Sequence, residues 1–203
     1  MHRLRRECPW DAEQTHLSLA PYLVEETLEL VEAIEDGTDA DLVEELGDLL
    51  LQVAFHAEIA AEQGRFDLED VARGISDKLI ARHPHVFASE PVPEDLLATW
   101  ELRKRAEKGR SSALDGIPER MSALTRAAKV IARSERHGLP VDVPSGADGN
   151  ADADGFGRRI LALVAEANAA GVDAEQATRA AVRELERRVR DLEAVRGAAP
   201  EGH

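Results

Sequence analysis

Two short groups of acidic residues near the start of the chain have the spacing of a metal site. The first group is Glu25-Glu26-x-x-Glu29, and the second is Glu45-x-x-Asp48. Residues three apart in a helix lie on neighbouring turns, so each group can point carboxylates at one spot. Clustered carboxylates repel one another, and a hard cation such as Mg²⁺, Mn²⁺ or Ca²⁺ relieves that repulsion by binding their oxygens. Brought together, the two groups predict a divalent metal site; taken singly, each also fits a solvated helix face.

Two predicted helices joined by a short turn must position these acids. Apolar residues at helical spacing predict the first helix over residues 17–35 and the second from Asp39 or Asp41 to about Glu62. Asp36-Gly37 is typical of a helix end, so the turn between the two helices is short. The helices are therefore expected to pack antiparallel through their apolar stripes.

The acids lie on corresponding flanks of the two stripes. Glu26 follows Leu23 by three residues, and Glu45 follows Leu42 by three residues. At about 100° per residue, each acid lies roughly 60° from its apolar neighbour, in the same direction on both helices. Antiparallel packing can therefore bring both acidic flanks together.

The whole chain reads as helical, and the predicted fold class is all-α. No window alternates with the period of a strand, and only 3% of the residues are aromatic, which suits packed helices. Further helices are predicted over 67–82 and about 94–108. The predicted organisation is a first domain over 1–108, a connecting helix over 109–139, a flexible linker over 140–157, a helical hairpin over 158–196 and a disordered tail over 197–203.

A faint internal repeat relates the two parts of the chain. Residues 47–51 align with residues 157–161. In the second copy Gly155 stands in place of Glu45, and an arginine stands in place of Asp48. The second copy is therefore predicted to be degenerate, without a metal site.

Charge and apolar patterning exclude two classes of partner. The net charge of −15 leaves no basic surface for a nucleic acid polymer. No apolar run is long enough to span a membrane. An acidic protein can still bind a phosphorylated ligand through a divalent cation, so metal dependence is expected if the ligand is a nucleotide. Residues 1–10 lack the apolar core of a signal peptide, and a cytoplasmic location is expected.

An ordered set of motifs surrounds the acids between Cys8 and about Lys104. Besides the first acidic group it comprises Cys8-Pro9-Trp10-Asp11-x-x-Gln14-Thr15, Pro21-Tyr22, Glu45-Leu46-Gly47-Asp48-Leu49-Leu50, Ile75-Ser76-Asp77-Lys78-Leu79, Arg82-His83-Pro84-His85-Val86-Phe87 and Trp100-Glu101. Together these motifs resemble the MazG family of nucleoside triphosphate pyrophosphohydrolases. The resemblance implies an all-α bundle completed by pairing between subunits, so a homodimer or a higher homo-oligomer is expected. It also implies Mg²⁺-dependent hydrolysis of NTPs or dNTPs to a monophosphate and pyrophosphate, as in house-cleaning of the nucleotide pool.

The resemblance also assigns roles to single residues. Four acids match the family's metal ligands: Glu26, Glu29, Glu45 and Asp48. Glu25 matches the remaining acid and is a candidate to orient or deprotonate the attacking water. Lys78 and Arg82 match the basic positions that contact phosphate, where they would stabilise developing negative charge. The degenerate second copy departs from two-copy family members, some of which are thought to carry most activity in that copy.

Several residues keep two interpretations. Trp10 can stack on a nucleobase or pack in the N-terminal turn. Cys8 fits a packed thiol better than a nucleophile, and His83 and His85 fit a turn better than a metal site. For the whole protein, the alternatives to an enzyme are a weakly active or non-catalytic protein that binds nucleotide and metal for regulation, and a purely structural helical scaffold.

Overall fold

The fold is described from a computed structural model of the 203-residue chain. The structure describes residues 1–88, 90–93, 95–96, 99–100, 103, 111–139, 141–143 and 152–197. Their secondary structure is helical without a strand, which confirms the all-α prediction. Among the helices of these residues, none is long and apolar enough to cross a bilayer. The chain divides into two compact units, Met1–Arg103 and Lys104–His203.

The first unit is built around a hairpin of two long helices. Its helices are α1 (His2–Glu7), α2 (Pro9–Glu13), α3 (His16–Asp36), α4 (Asp39–Glu62), α5 (Leu68–Arg82) and α6 (Pro84–Phe87). The hairpin is α3 and α4, and its bounds agree with the predicted bounds to within one or two residues. The predicted helix over about 94–108 lies largely outside the described residues.

Side-chain caps fix where α3 and α4 begin. Thr15 and Ser18 exchange hydrogen bonds at the start of α3, and Thr38 and Asp41 do the same at the start of α4. These reciprocal bonds satisfy backbone N–H groups that have no partner inside the helix. Between the helices, Gly37 passes close to the preceding turn, where a Cβ would lie only 2.7 Å from backbone atoms of α3.

The core of the first unit lies at the open end of the hairpin, away from this turn. Leu19 of α3 packs against Phe55 and Ile59 of α4. Arg5 of α1 forms an ion pair with Glu62 at the end of α4, and its Nη1 also donates to three carbonyl oxygens of residues 11–14. These contacts hold the N-terminal helices on the hairpin.

Many apolar residues of the first unit remain exposed. Part of the apolar stripe that helical spacing predicts for α4 is exposed, namely Leu46, Leu50 and Val53. Phe55 and Ile59 of the same helix are buried. Two helices cover only the sides that they turn toward each other, so part of each stripe has no cover within one chain. Helix α5 has no buried residue in the described part of the chain, although it carries a row of apolar side chains: Leu68, Val71, Ile75 and Leu79.

The second unit contains three described helices, α7 (Ala123–Arg136), α8 (Ala153–Ala169) and α9 (Ala174–Gly197). Ile131 of α7 and Val164 of α8 are buried. The Oγ of Ser122, before α7, donates to Glu175 of α9 at 2.5 Å. Helix packing in this unit thus combines apolar burial with polar bonds at helix ends.

The second unit departs from the predicted boundaries. Helix α8 begins at Ala153 because the Asp152 side chain accepts a hydrogen bond from the backbone N–H of Gly155, so residues 153–157 are helical and not part of the predicted 140–157 linker. Helix α7 occupies only part of the predicted connecting helix over 109–139, since Ser122 caps its start. The tail beyond residue 197 lies outside the described residues.

Candidate metal centre

Three carboxylates converge near the middle of the α3–α4 hairpin. Glu26, Glu29 and Glu45 each offer one oxygen, and these three oxygens lie within 4.8 Å of one another. The short turn sets this register, because it places the second half of α3 beside the first turns of α4. Asp48, one turn after Glu45, is close enough for its charge to act on both Glu26 and Glu45.

Among the described residues, the charges that shift the pKa of Glu26 and of Glu45 all belong to other acids. Burial, followed by the charge of Asp48 and of Glu29, raises the pKa of Glu26 above its ordinary value. Burial, followed by the charge of Glu29 and of Asp48, likewise raises the pKa of Glu45. Both shifts disfavour the ionised form, which a bound cation would favour instead.

One oxygen of the cluster is buried without a hydrogen-bond donor among the described residues. This oxygen is the Oε2 atom of Glu45. A buried carboxylate oxygen without a donor is costly, and a divalent cation satisfies it. An all-oxygen donor set of this kind fits Mg²⁺ or Mn²⁺, and the residues present therefore fit the implied metal.

The cluster opens toward the turn of the hairpin through an acidic cavity of about 310 Å³. Its lining residues are Glu29, Glu32, Ala33, Asp36, Gly37, Asp41 and Glu45. Negative side chains around an open cavity raise the local concentration of cations. The cavity therefore gives a cation an approach to Glu29 and Glu45 from solvent.

Two other sequence candidates, Glu25 and Trp10, lie on the hairpin or pack against it. Glu25 is exposed, and its charge is among those that raise the pKa of Glu26. Trp10 packs edge-on against Tyr22 of α3, with ring centroids 5.9 Å apart, and against Phe55 of α4 at 6.4 Å. Trp10 is nevertheless 51% exposed, so packing in the N-terminal turn leaves part of its ring open to a ligand.

The predicted phosphate contacts are not brought to the acids within one chain. Lys78 and Arg82 lie on α5, and neither is among the charges that shift the pKa of Glu26 or of Glu45. The Arg82 guanidinium instead lies 5.7 Å from the centre of the Trp100 ring. The charges that act on Glu26 and Glu45 within one chain are therefore those of other acids.

The remaining sequence candidates, His83, His85 and Cys8, lie at helix starts. His83 and His85 flank the start of α6 with ring centroids 5.7 Å apart, and Nδ1 of His83 lies 2.7 Å from the Leu79 carbonyl oxygen. Cys8 is a free thiol that serves as the N-cap residue of α2.

A buried polar residue that the sequence patterns did not single out lies one turn beyond the acids of α4. Gln52 lies on α4 four residues after Asp48, so the two share a helix face, and Gln52 is buried. The available signal was a single amide side chain in the otherwise apolar run from Leu49 to Phe55. Buried amides need hydrogen-bond partners, which makes such an interruption informative.

Comparisons with known proteins identify the domain that contains the hairpin. Residues 14–87 match the MazG nucleotide pyrophosphohydrolase domain. The chain is 49% identical over 147 residues to a nucleoside triphosphate pyrophosphohydrolase of Escherichia coli (strain K12), which covers 68% of this chain and 56% of that protein. It is 38% identical over 212 residues to the nucleoside triphosphate pyrophosphohydrolase/pyrophosphatase MazG of Thermotoga maritima, covering 95% of this chain and 82% of that protein.

A third similar protein is the uncharacterized protein YabN of Bacillus subtilis (strain 168). It is 50% identical over 127 residues, which cover 61% of this chain and 26% of that protein. The chain thus spans about a quarter of the Bacillus protein and about half of the Escherichia protein.

Proposed function

Because the chain belongs to the MazG nucleotide pyrophosphohydrolase family, we propose that it hydrolyses nucleoside triphosphates, NTPs or dNTPs, to a monophosphate and pyrophosphate. The observation that carries this proposal is the convergence of Glu26, Glu29 and Glu45 on one point. The names of the Escherichia and Thermotoga relatives support the reaction. The proposed setting is cytoplasmic house-cleaning of the nucleotide pool.

The proposed cofactor is Mg²⁺, with Mn²⁺ as a substitute. Four acids of the hairpin would hold it: Glu26, Glu29, Glu45 and Asp48. When bound, the metal neutralises triphosphate charge and polarises phosphoryl oxygens. The unpartnered oxygen of Glu45 and the raised pKa values of Glu26 and Glu45 support this assignment.

The remaining site residues act on the water and on the nucleotide. In this proposal Glu25, which is exposed beside Glu26, orients the attacking water and accepts its proton. Attack at the α-phosphorus then breaks its bond to the bridging oxygen, and the electron pair leaves with pyrophosphate. Lys78 and Arg82 stabilise the negative charge on the leaving group, and the open part of the Trp10 ring contacts the nucleoside.

We propose a homodimer or a higher homo-oligomer as the active form. Within one chain Lys78 and Arg82 are not among the charges acting on the acids, while the apolar row of α5 is exposed. A second copy packed on α5 would cover that row. The same packing can bring Lys78 and Arg82 of one subunit to the acids of the other, which completes the site.

Replacing Glu45 with Gln tests the assignment most directly. We expect Mg²⁺-dependent pyrophosphate release from a panel of NTPs and dNTPs to fall by at least about a hundredfold, because a neutral amide neither binds nor balances the cation well. Far-ultraviolet circular dichroism should show an unchanged helix content.

The matched control is Glu44→Gln, which makes the same charge change at the neighbouring exposed position and should keep its activity. Release of inorganic phosphate in place of pyrophosphate would contradict the proposed cleavage site. Tight binding of nucleotide and Mg²⁺ without any turnover would favour the regulatory binding protein instead.

A further inference from the structure

Gln52 is a buried side chain whose polar end is not satisfied. The residue is only 5% exposed, and its Oε1 atom is buried and receives no hydrogen bond within the described part of the chain. Leaving an amide in this state costs stability, since an apolar side chain of similar size would fill the same space without the loss of hydrogen bonds to water. The groups that lie around Gln52 therefore indicate what kind of ligand could satisfy its amide.

The register of the hairpin places Gln52 across from Tyr22. On one side of this level, Glu26 of α3 and Asp48 of α4 are close enough to interact. On the other side, Leu19 of α3 packs in one cluster with Phe55 of α4. In an antiparallel pair Tyr22 and Gln52 fall between these two contacts, one turn, or about 5.4 Å, along the helices from the acids.

Two aromatic rings, those of Tyr22 and Trp10, lie at this point along the hairpin. Tyr22 is 41% exposed and meets the half-open Trp10 ring edge-on. Tyr22 also precedes Glu26 by four residues, so both lie on one face of α3. Two partly exposed rings and a buried, unsatisfied amide, next to a cluster of acids, have the composition of a small-molecule subsite.

We propose that Gln52, together with Tyr22 and Trp10, forms the subsite for the nucleoside of the triphosphate. The inference rests on the proposed function, in which a cation on the acids holds the phosphates. The nucleoside is joined to the α-phosphate, so it lies next to the acids, and Gln52 and Tyr22 are one helical turn away. The rings contact the base, as aromatic side chains do with all four bases.

Gln52 supplies the polar contact in this subsite. Its terminal amide can turn about its last bond, which exchanges the positions of the oxygen and the nitrogen. It can then accept a hydrogen bond from a nucleoside N–H or O–H group, or donate one to a base carbonyl. A site that hydrogen-bonds its ligand through a buried amide discriminates against ligands without the matching group.

Binding measurements with and without a nucleoside test the proposal. The probes are inorganic tripolyphosphate and an α,β-imido nucleoside triphosphate, which resists cleavage, each titrated calorimetrically with Mg²⁺ into the full chain. For Gln52→Leu we expect about tenfold weaker binding of the nucleotide and unchanged binding of tripolyphosphate, as loss of one hydrogen bond to the ligand predicts. Tyr22→Leu should show the same pattern.

The controls separate this role from a structural one. Gln176→Leu, at an exposed position of α9, should change neither affinity. Gln52→Leu should melt at the same or a higher temperature, because it removes an unsatisfied amide. An equal loss of both ligands, or unchanged nucleotide binding, would overturn the subsite.

The wild-type protein distinguishes failure of the subsite from failure of the proposed function. Equal affinities for tripolyphosphate and nucleotide would remove the subsite and leave the triphosphate site in place. Binding of neither probe in the presence of Mg²⁺ would remove both.

Discussion

In the first unit, Glu45 lies in the second turn of α4, half-buried beside acids of α3; in the second unit, the aligned position is Gly155, buried in the first turn of α8. Both helices begin with a side-chain cap, Thr38 in one and Asp152 in the other. The second helix therefore keeps the local signals for a helix start but not the turn of helix that precedes the acids. The comparison teaches that caps and apolar burial maintain a helical unit, whereas a metal centre also needs acids at fixed distances from the helix start.

The second unit also lacks the other aligned acid of the cluster, Asp48. Arg158 stands where the first unit has Asp48, and the neighbouring Arg159 guanidinium lies 4.3 Å from the centre of the Phe156 ring. Among the described residues, the group of acids that could hold a metal ion belongs to the first unit. We therefore expect substitutions at matched positions of the two units to differ sharply in their effect on activity.

The largest contrast is expected between Asp48→Asn and Arg158→Gln. Asp48→Asn removes a charge from the acid cluster, and we expect Mg²⁺-dependent pyrophosphate release to fall by about a hundredfold. Arg158→Gln, at the aligned position, should leave that rate within about twofold of the wild-type rate. A comparable loss in both variants would show that the second unit takes part in the reaction.

A second contrast concerns exposed apolar residues in the two units. Ile75→Glu places a charge in the middle of the α5 row, and we expect sedimentation analysis to show monomers with little hydrolytic activity. A charge buried in a subunit interface without a partner costs several kcal/mol, on the order of what a dimer contact supplies. The matched control is Leu163→Glu in α8, an apolar position at least as exposed as Ile75, which should keep both assembly and activity. Dissociation by the control alone would place the interface in the second unit.

The smallest contrast is in the pH dependence of stability. At the open end of the hairpin His16 and His56 stack, with Nδ1 atoms 2.8 Å apart, and Arg65 Nη2 donates to His16 Nε2. His16 therefore donates from Nδ1 to the neutral His56 ring. Burial, then the neighbouring His16, lowers the pKa of His56 below its ordinary 6.5.

The direction of the effect follows from proton uptake. Below about pH 7 the unfolded chain binds a proton at His56 more readily than the folded chain does, so stability is complete above this range and falls as the pH drops through 6.5. We expect His56→Phe to reduce the fall of the melting temperature that the wild-type protein shows between pH 7.5 and 5.5. Identical slopes for the wild-type protein and the variant would exclude His56 as the cause.

Local signals explain how much of the hairpin could be predicted. Residues such as Asp41 and Gly37 mark helix ends in the sequence itself, and the helical repeat then fixes which acids share a face. The convergence of Glu26, Glu29 and Glu45 follows from that phase and from the shortness of the turn. No long-range information was needed for this part of the site.

Features that depend on distant contacts were missed. Helices α1 and α2 are too short to be stable alone, and Arg5 stabilises them through Glu62, far along the chain. Helical spacing marked Leu46 and Leu50 as apolar without showing that a single chain leaves them exposed. The burial of Gln52 has the same origin, because it depends on the neighbouring helix and not on local propensity.

The narrow turn at Gly37 and Thr38 has a consequence for how this protein can vary. One inserted residue there would rotate every following side chain of the second helix by about 100° relative to the first, and the carboxylates would no longer meet. Substitutions on the outer faces leave that phase untouched. The length of this loop therefore sets how the two helices face each other. We expect variants of this chain to tolerate substitutions on the outer faces better than a change in the length of the loop.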